Sequence, residues 1–349
     1  MKWFSSRFPP ATRRVALLMG IACLSLFPLL GSAPLFDEDE GFYAEASREM
    51  LENGDYLTAH INGKPQYDKP ILIYWLQTLS FRLFGLNEFA ARFPSALATL
   101  LWMLSIFRFA RRHLGDRGGL LSALFFISAV QITITGKAAI VDSALNLFLT
   151  QCLFHLFDYT QNRKNRDLYA AALYAGLGFL AKGPVAVVVP FGVSLLYCLM
   201  QKQLRLWLRM AFNPAAILLF SLIALPWYVL EYLNQGKAFI EDFFFKHNLE
   251  RYSRAFEDHS GSIFYYIPVI IIGTLPHSGL LVPLIRRAGS LWKREVYRFC
   301  FVWIAFVLIL FSFGGTKLPH YILSAFAPLF ILYGAVYERL ERFRSYLTP

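Results

Sequence analysis

Four consecutive carboxylates, Asp37-Glu38-Asp39-Glu40, follow directly on the first long apolar segment, and Tyr67-Asp68-Lys69-Pro70 stands further along the same polar stretch. Carboxylates beside a bilayer are costly unless they are solvated or used. A carboxylate put to use can take a proton from a hydroxyl as its oxygen attacks. Lys69 precedes a proline suited to the first position of a helix, so its ammonium and the helix amides would face the same anion. Held together at a membrane surface, these groups suit chemistry on a lipid-borne, anionic substrate.

Asp142 opens another apolar segment without a partner beside it in sequence, and acids so placed default to function. Lys137, Lys182, His247, Arg251, His259 and Lys317 fall at the corresponding ends of other apolar segments or in the loops that join them. Cations there would stabilise a phosphate leaving group. Each residue also has a plainer reading. Asp39 would cap a helix, Lys69 would snorkel from an interfacial one, His247 and His259 would be solvated loop histidines, and Lys182 would mark a turn before Gly183-Pro184.

The elements that must position these groups follow from composition. Of 349 residues 56% are hydrophobic and only 16% charged, with 34 Phe and 18 Tyr, and mean hydropathy is +0.45. A soluble domain is far less apolar. Ten segments approach the ~20 residues that a span needs: 15–33, 89–107, 118–136, 141–158, 168–182, 184–200, 212–232, 263–284, 299–313 and 319–337. Tilt or local thinning would absorb the shorter ones. With the N-terminus in the cytoplasm, 22 of the 34 Lys and Arg lie inside and 17 of the 23 acids outside, with at least three basic residues in every inside segment. That asymmetry satisfies the positive-inside rule. The net charge of +11 therefore calls for no nucleic acid.

The expected fold is an all-α polytopic membrane protein of about ten transmembrane helices, a single domain over 1–349. The first apolar run exceeds the usual ~7–15-residue signal core, so it reads as a retained span. Cys23, Cys152, Cys198 and Cys300 sit in separate apolar segments without metal-ligand spacing. Two outside loops are long enough to have structure, 34–88 and 234–262. In the first, 40–53 reads as a helix with Phe42, Ala46 and Met50 on one face and Glu45, Glu49 and Glu52 on another, stopped by Asn53-Gly54. A second helix from Pro70 through Leu72, Trp75, Leu76, Leu79 and Leu83 is too short to span and too apolar to float, which places it in the membrane interface.

The ordered set Asp39-Glu40-Gly41-Phe42-Tyr43-Ala44-Glu45, Gly63-Lys64-Pro65-Gln66-Tyr67-Asp68-Lys69-Pro70, Asn87-Glu88-Phe89-Ala90-Ala91-Arg92-Phe93-Pro94, Lys182-Gly183-Pro184, Pro226-Trp227-Tyr228, His247-Asn248-Leu249-Glu250-Arg251-Tyr252 and Thr316-Lys317-Leu318-Pro319-His320-Tyr321 covers about 280 residues. It resembles the GT-C type polyprenyl-phosphate-sugar-dependent glycosyltransferases, the family of the aminoarabinose transferases and protein O-mannosyltransferases. The resemblance implies transfer of a sugar from a polyprenyl-phosphate carrier to a lipid, glycan or protein acceptor on the periplasmic face, by one inverting displacement. It implies Asp39 as the catalytic acid, Asp142 as a second acid of the site, Lys69 and Arg251 on the carrier phosphate, and Tyr321 beside them. Glu40, Tyr43, Lys182, His247, His259 and Lys317 complete the candidate substrate-binding set. Asp68 and His259 lie where some members hold a divalent metal; no other cofactor is implied.

Departures from the family pattern are Phe42, where relatives often have Arg, and Pro276-His277, where they have Pro-Trp. The chain also ends after about ten spans, where many relatives continue. Two other readings compete: a transporter or flippase for polyprenyl-linked substrates, and a non-catalytic binder of them. A transporter would set its ionisable residues near the bilayer midplane on broken helices.

Overall fold

Helices carry the fold, as lipid requires of a backbone with no water to bond to. The computed structural model of the chain describes residues 10–36, 39–250 and 261–347; within these, the side chains of 10–13, 244, 247–250 and 341–347 are outside the description. In chain order the elements are α1 (Pro10–Leu26), α2 (Asp39–Asn53), β1 (Ala59–Ile61), β2 (Lys64–Gln66), α3 (Leu72–Phe84) and α4 (Glu88–Ile127). There follow α5 (Val130–Lys137), α6 (Asp142–Asn162), α7 (Asn165–Lys182), α8 (Val185–Met200), α9 (Leu204–Ala211), α10 (Pro214–Gln235) and α11 (Lys237–Ile240). A wide π-type turn, Glu241–Glu250, precedes α12 (Tyr266–Gly273), α13 (Leu281–Leu291), α14 (Glu295–Ser312), the 3₁₀ segment Pro319–Ala325 and α15 (Phe326–Leu347).

Among the described residues, four helical stretches are long and apolar enough to cross a membrane: α4, α10, α14 and Pro319–Leu340. The number is six if each of two sharply bent pairs is one span. Arg14–Leu26 and Val185–Met200 are apolar but shorter. The chain is thus a polytopic helical membrane protein, with fewer straight spans than ten apolar segments predict. The expected span 118–136 stops at Ile127, because Ala129 is extended, and α5 meets α6 at 118°. The expected span 263–284 breaks after Gly273, where Pro276 has no N–H to continue a helix, and turns by 119°. The two breaks satisfy each other: the Val130 N–H donates to the Leu275 carbonyl at 3.0 Å, and Ser128 Oγ meets His277 Nε2 at 2.8 Å. The histidine at the unusual Pro276-His277 therefore has a partner.

The helix expected over 40–53 is α2. Its stop is a glycine in the left-handed region: Gly54 has φ +72°, and its N–H reaches the Met50 carbonyl at 3.1 Å. Ala46 and Met50 are buried as expected. Glu45 and Glu52 flank Arg48 on the exposed face. Glu49 departs from that face. It turns inward and accepts the Asn62 and Gly63 N–H groups at 2.5 and 3.1 Å. These two residues form the turn of the β1–β2 hairpin, with φ +53° and +70°, the positive values that an Asn-Gly turn provides. Ser47 on Gln77 fastens α2 to α3, and Trp227 Nε1 on the Leu57 carbonyl with Thr58 Oγ1 on Glu231 fastens the loop to α10.

The core runs through α4, α6, α7, α8, α14 and α15. Small residues let α15 cross α4 closely, since a Cβ on Gly334 would strike Ser122 and the Gly118 carbonyl.

Candidate active site

A cavity of about 520 Å³ opens where one end of the bundle meets the 34–88 loop. Five places in the chain bring polar side chains to it: the start of α2 with Asp39 and Tyr43, the approach to α3 with Asp68 and Lys69, the start of α6 with Asp142 and Asn146, the end of α7 with Lys182, and the stretch from Thr316 to Ser324 with His320 and Tyr321. The remaining wall is apolar, including Leu145, Leu149, Val185, Val188, Leu310 and Phe311. Residues from Asp39 to Tyr321 thus share one site, as no sequence neighbourhood could require.

Three carboxylates line this space, and two are taken. Lys182 Nζ lies 2.7 Å from Asp142 Oδ1 and rests over the Tyr321 ring, 5.7 Å from its centroid. Lys69 Nζ holds Asp68 Oδ2 at 2.5 Å. Asp39 makes no ion pair among the described residues. It stays exposed to the cavity at the first turn of α2. Tyr43, one turn on, is buried. Desolvation first, then the charges of Asp68, Asp39 and Asp142, push its hydroxyl well above the ordinary value of 10, so it remains a donor.

Glycine explains how Lys182 reaches the site. Gly183 ends α7 with φ +69°, its N–H on the Phe179 carbonyl at 2.9 Å, and a Cβ there would meet the Phe243 ring. Pro184 then opens α8. Lys182-Gly183-Pro184 is both a turn and a site motif.

Glu40 is not a cavity residue. Its carboxylate accepts Arg92 Nε and Nη2 at 2.9 and 2.7 Å, the Phe36 N–H at 2.9 Å and the Ala139 N–H at 2.6 Å. Burial by itself raises its pKa; the Arg92 bonds and the two amides outweigh that and lower it below 4.5. Arg92 also donates to the carbonyls of Leu30, Ala33 and Pro34. One buried pair thereby joins the exit of α1, the start of α2 and the α5–α6 break. Asp39 and Asp142 sit at two of those points.

Lys317 is nearly buried and donates to the Gly314 carbonyl at 2.8 Å, while its neighbours Thr316 and Leu318 form the wall. Among the described residues Lys137 reaches only the Pro28 carbonyl, at 3.4 Å. The His247 side chain, Arg251 and His259 lie outside the described residues, as do Asp37 and Glu38. Thr316 and His320 of the last ordered motif join the wall, as does Asn146, which belongs to none of the motifs. Asn146 lies one helical turn beyond Asp142 and donates to its carbonyl at 2.8 Å, and that spacing is a readable signal.

The cavity donors do not converge on a metal among the described residues. Asp68 is held by Lys69, and the only group of three or more donor atoms that come together lies elsewhere.

Comparisons with known proteins agree with this fold. The model of the dolichyl-phosphate-mannose-protein mannosyltransferase family matches residues 68–229. An undecaprenyl phosphate-alpha-4-amino-4-deoxy-L-arabinose arabinosyl transferase of Edwardsiella ictaluri is 33% identical over 325 residues, 90% of this chain and 57% of its own length. The transferase of the same description in Pectobacterium carotovorum is 32% identical over 96% of this chain and 62% of its own. The crystal structure of ArnT from Cupriavidus metallidurans bound to undecaprenyl phosphate superposes with a TM-score of 0.86 at 28% identity, covering 94% of this chain and 60% of that one. The archaeal oligosaccharyltransferase AglB of Archaeoglobus fulgidus, at 14% identity and a TM-score of 0.59, shares the fold alone. The chain spans about three-fifths of the length of these transferases.

Proposed function

We infer, from a chain that has the GT-C glycosyltransferase fold and resembles the aminoarabinose transferases over almost all of its length, that it is a membrane glycosyltransferase using a polyprenyl-phosphate-linked sugar. The observation that carries this reading is one cavity holding Asp39 without an ion-pair partner among the described residues, two lysines and an apolar wall. The prenyl chain lies along Val185, Val188, Leu310 and Phe311. Its phosphate faces Lys69, with Lys182 behind. An acceptor oxygen attacks the anomeric carbon from the face opposite the phosphate. The bond from that carbon to the phosphate oxygen breaks, and its electron pair leaves with the carrier phosphate. The acceptor proton passes to Asp39. The anomeric configuration inverts. Tyr43 and Asp142 orient the sugar, and Asp142 is kept ionised and in place by Lys182.

The acceptor is a lipid, glycan or protein, and the sugar a pentose or hexose. The site faces the periplasm, and the 34–88 loop lies there with α3 in the interface; Leu79 and Leu83 of α3 are exposed. A cysteine placed at Asn62 should label from the periplasmic side. Labelling only from the cytoplasm would reverse the topology.

Lys69→Ala should weaken carrier binding by the ~1.5–3 kcal/mol of a charge-assisted bond, roughly 10–150-fold. Titration of the purified protein with polyprenyl phosphate measures this. An unchanged Kd would remove Lys69 from the phosphate site.

A second reading has its own support. Asp142 opens α6 at a sharply bent break, the kind of discontinuity that transporters place at their sites. A flippase would bind the same carrier through the same lysines without breaking the sugar–phosphate bond.

A further inference from the structure

Away from the cavity, near the other end of α6, two histidines and two aspartates are packed together without complete partners. His155 and Asp158 belong to α6, Asp167 to the first turn of α7, and Arg112 and His113 to α4. Asp158 lies sixteen positions beyond Asp142, about 24 Å along the helix. The glycosyl-transfer chemistry does not involve these groups.

The outer oxygen of each carboxylate is held in place. Arg112 Nη1 donates to Asp158 Oδ2 at 2.7 Å, and Asn162 Nδ2 donates to Asp167 Oδ2 at 2.8 Å. The inner oxygens face imidazoles at ion-pair distance but outside hydrogen-bond geometry. His155 Nδ1 stands 3.4 Å from Asp167 Oδ1, and His113 Nε2 3.9 Å from Asp158 Oδ1. Both ring nitrogens are fully buried and lack a hydrogen-bond partner. A buried nitrogen in that state is costly. The rings themselves are fixed, His155 by stacking on Tyr174 and His113 by packing against Phe109 and Phe157.

Ligand atoms of His155, Asp158 and Asp167 all lie within 4.8 Å of one another. Two atoms each ~2.0–2.2 Å from a tetrahedral zinc are about 3.4 Å apart, the separation seen between His155 and Asp167. We propose that His155, Asp158 and Asp167 bind a divalent transition metal of the zinc class, with Arg112 and Asn162 orienting the carboxylates and His113 beside the remaining coordination position. The donor set of one imidazole and two carboxylates suits Zn²⁺ better than Ca²⁺ or Mg²⁺, which prefer oxygen alone. Bound there, the ion cross-links α6 to α7. It adds positive charge beside two buried carboxylates that have a single arginine, Arg112, among their partners.

The test uses the detergent-purified protein, stripped with chelator, dialysed against ZnCl₂ and assayed for metal content. Wild type should retain one zinc per chain and show a zinc-dependent rise in Tm. With Co²⁺ in place of zinc it should give the visible d–d absorption of a nitrogen- and oxygen-ligated ion. His155→Gln and Asp167→Asn should lose the metal and the Tm rise. Asn162→Ala, which removes an orienting partner, should weaken binding about 10–100-fold. Asp68→Asn, in the distant cavity, should bind as wild type does. Wild-type protein that takes up no zinc or cobalt would overturn the proposal and leave two histidine–aspartate contacts. Retention of zinc in both ligand variants, or its loss in Asp68→Asn alone, would place the metal elsewhere and overturn it equally. Asp167→Asn changes no side-chain volume, so it decides the matter if His155→Gln does not fold.

Discussion

Asp39→Asn is expected to lower sugar transfer by roughly 10²–10⁴-fold, the range that loss of a general base produces, while the protein still folds and takes up carrier lipid. The neighbouring carboxylates give the reason. Asp68 and Asp142 are each within 2.7 Å of a lysine ammonium, and Glu40 is enclosed by Arg92 and two amides. Asp39 is a cavity carboxylate without such a partner among the described residues, so it has a lone pair available for the acceptor proton. Asparagine keeps the shape and most of the ability to stabilise the start of α2, which separates catalysis from folding. A phosphate acceptor, already ionised, would need less help and show a smaller loss. Rates close to wild type with a hydroxyl acceptor, together with a dead Asp37→Asn, would move the base to the adjacent acid.

Arg92→Met should destabilise the purified protein by about 3–5 kcal/mol, the usual effect of stranding one member of a buried ion pair. Both side chains are less than a tenth exposed. Methionine fills much of the arginine volume but leaves Glu40 charged, and it frees three carbonyls at the exit of α1. The effect has a pH signature. Glu40 titrates lower folded than its ordinary 4.5, so its contribution is complete above that value and is lost as pH falls through the folded pKa. Wild type and Arg92→Met should therefore converge in stability in acid. Transfer should fall as well, because the pair sets the separation of Asp39 from Asp142. A thermal midpoint unchanged at neutral pH would mean that the pair contributes nothing.

Much of this site is legible in the amino-acid sequence. Charge asymmetry puts Asp39, Lys69, Asp142 and Lys182 on one side, the ordered motifs add Tyr43 and Tyr321, and all six line one cavity. The α2 helix and its stop at Gly54 follow from periodicity and from the demand for positive φ. Glu40 departs from its expected place because adjacency to Asp39 says nothing about direction. Consecutive helical residues point about 100° apart, and only the tertiary fold brings Arg92 and Ala139 to the second of them. Glu49 departs from the exposed face because it caps a hairpin that helical periodicity does not register, although Asn62-Gly63 is a strong turn signal. The broken spans are hidden because apolar composition continues through Ser128-Ala129 and through Thr274–His277, where the backbone is satisfied by bonds across the two breaks. Hydropathy records length and polarity but not direction.

Cleavage of the bond between sugar and carrier phosphate in this cavity is the defining step. It is tested most directly by reconstituting the purified protein in liposomes with a synthetic polyprenyl-phosphate sugar and an envelope lipid extract. Free polyprenyl phosphate and glycosylated products are then quantified by mass spectrometry. The predicted result is release of one carrier phosphate per sugar transferred, with both lowered together in Asp39→Asn. Movement of intact donor across the bilayer with no carrier phosphate released, in wild type and Asp39→Asn alike, would contradict it.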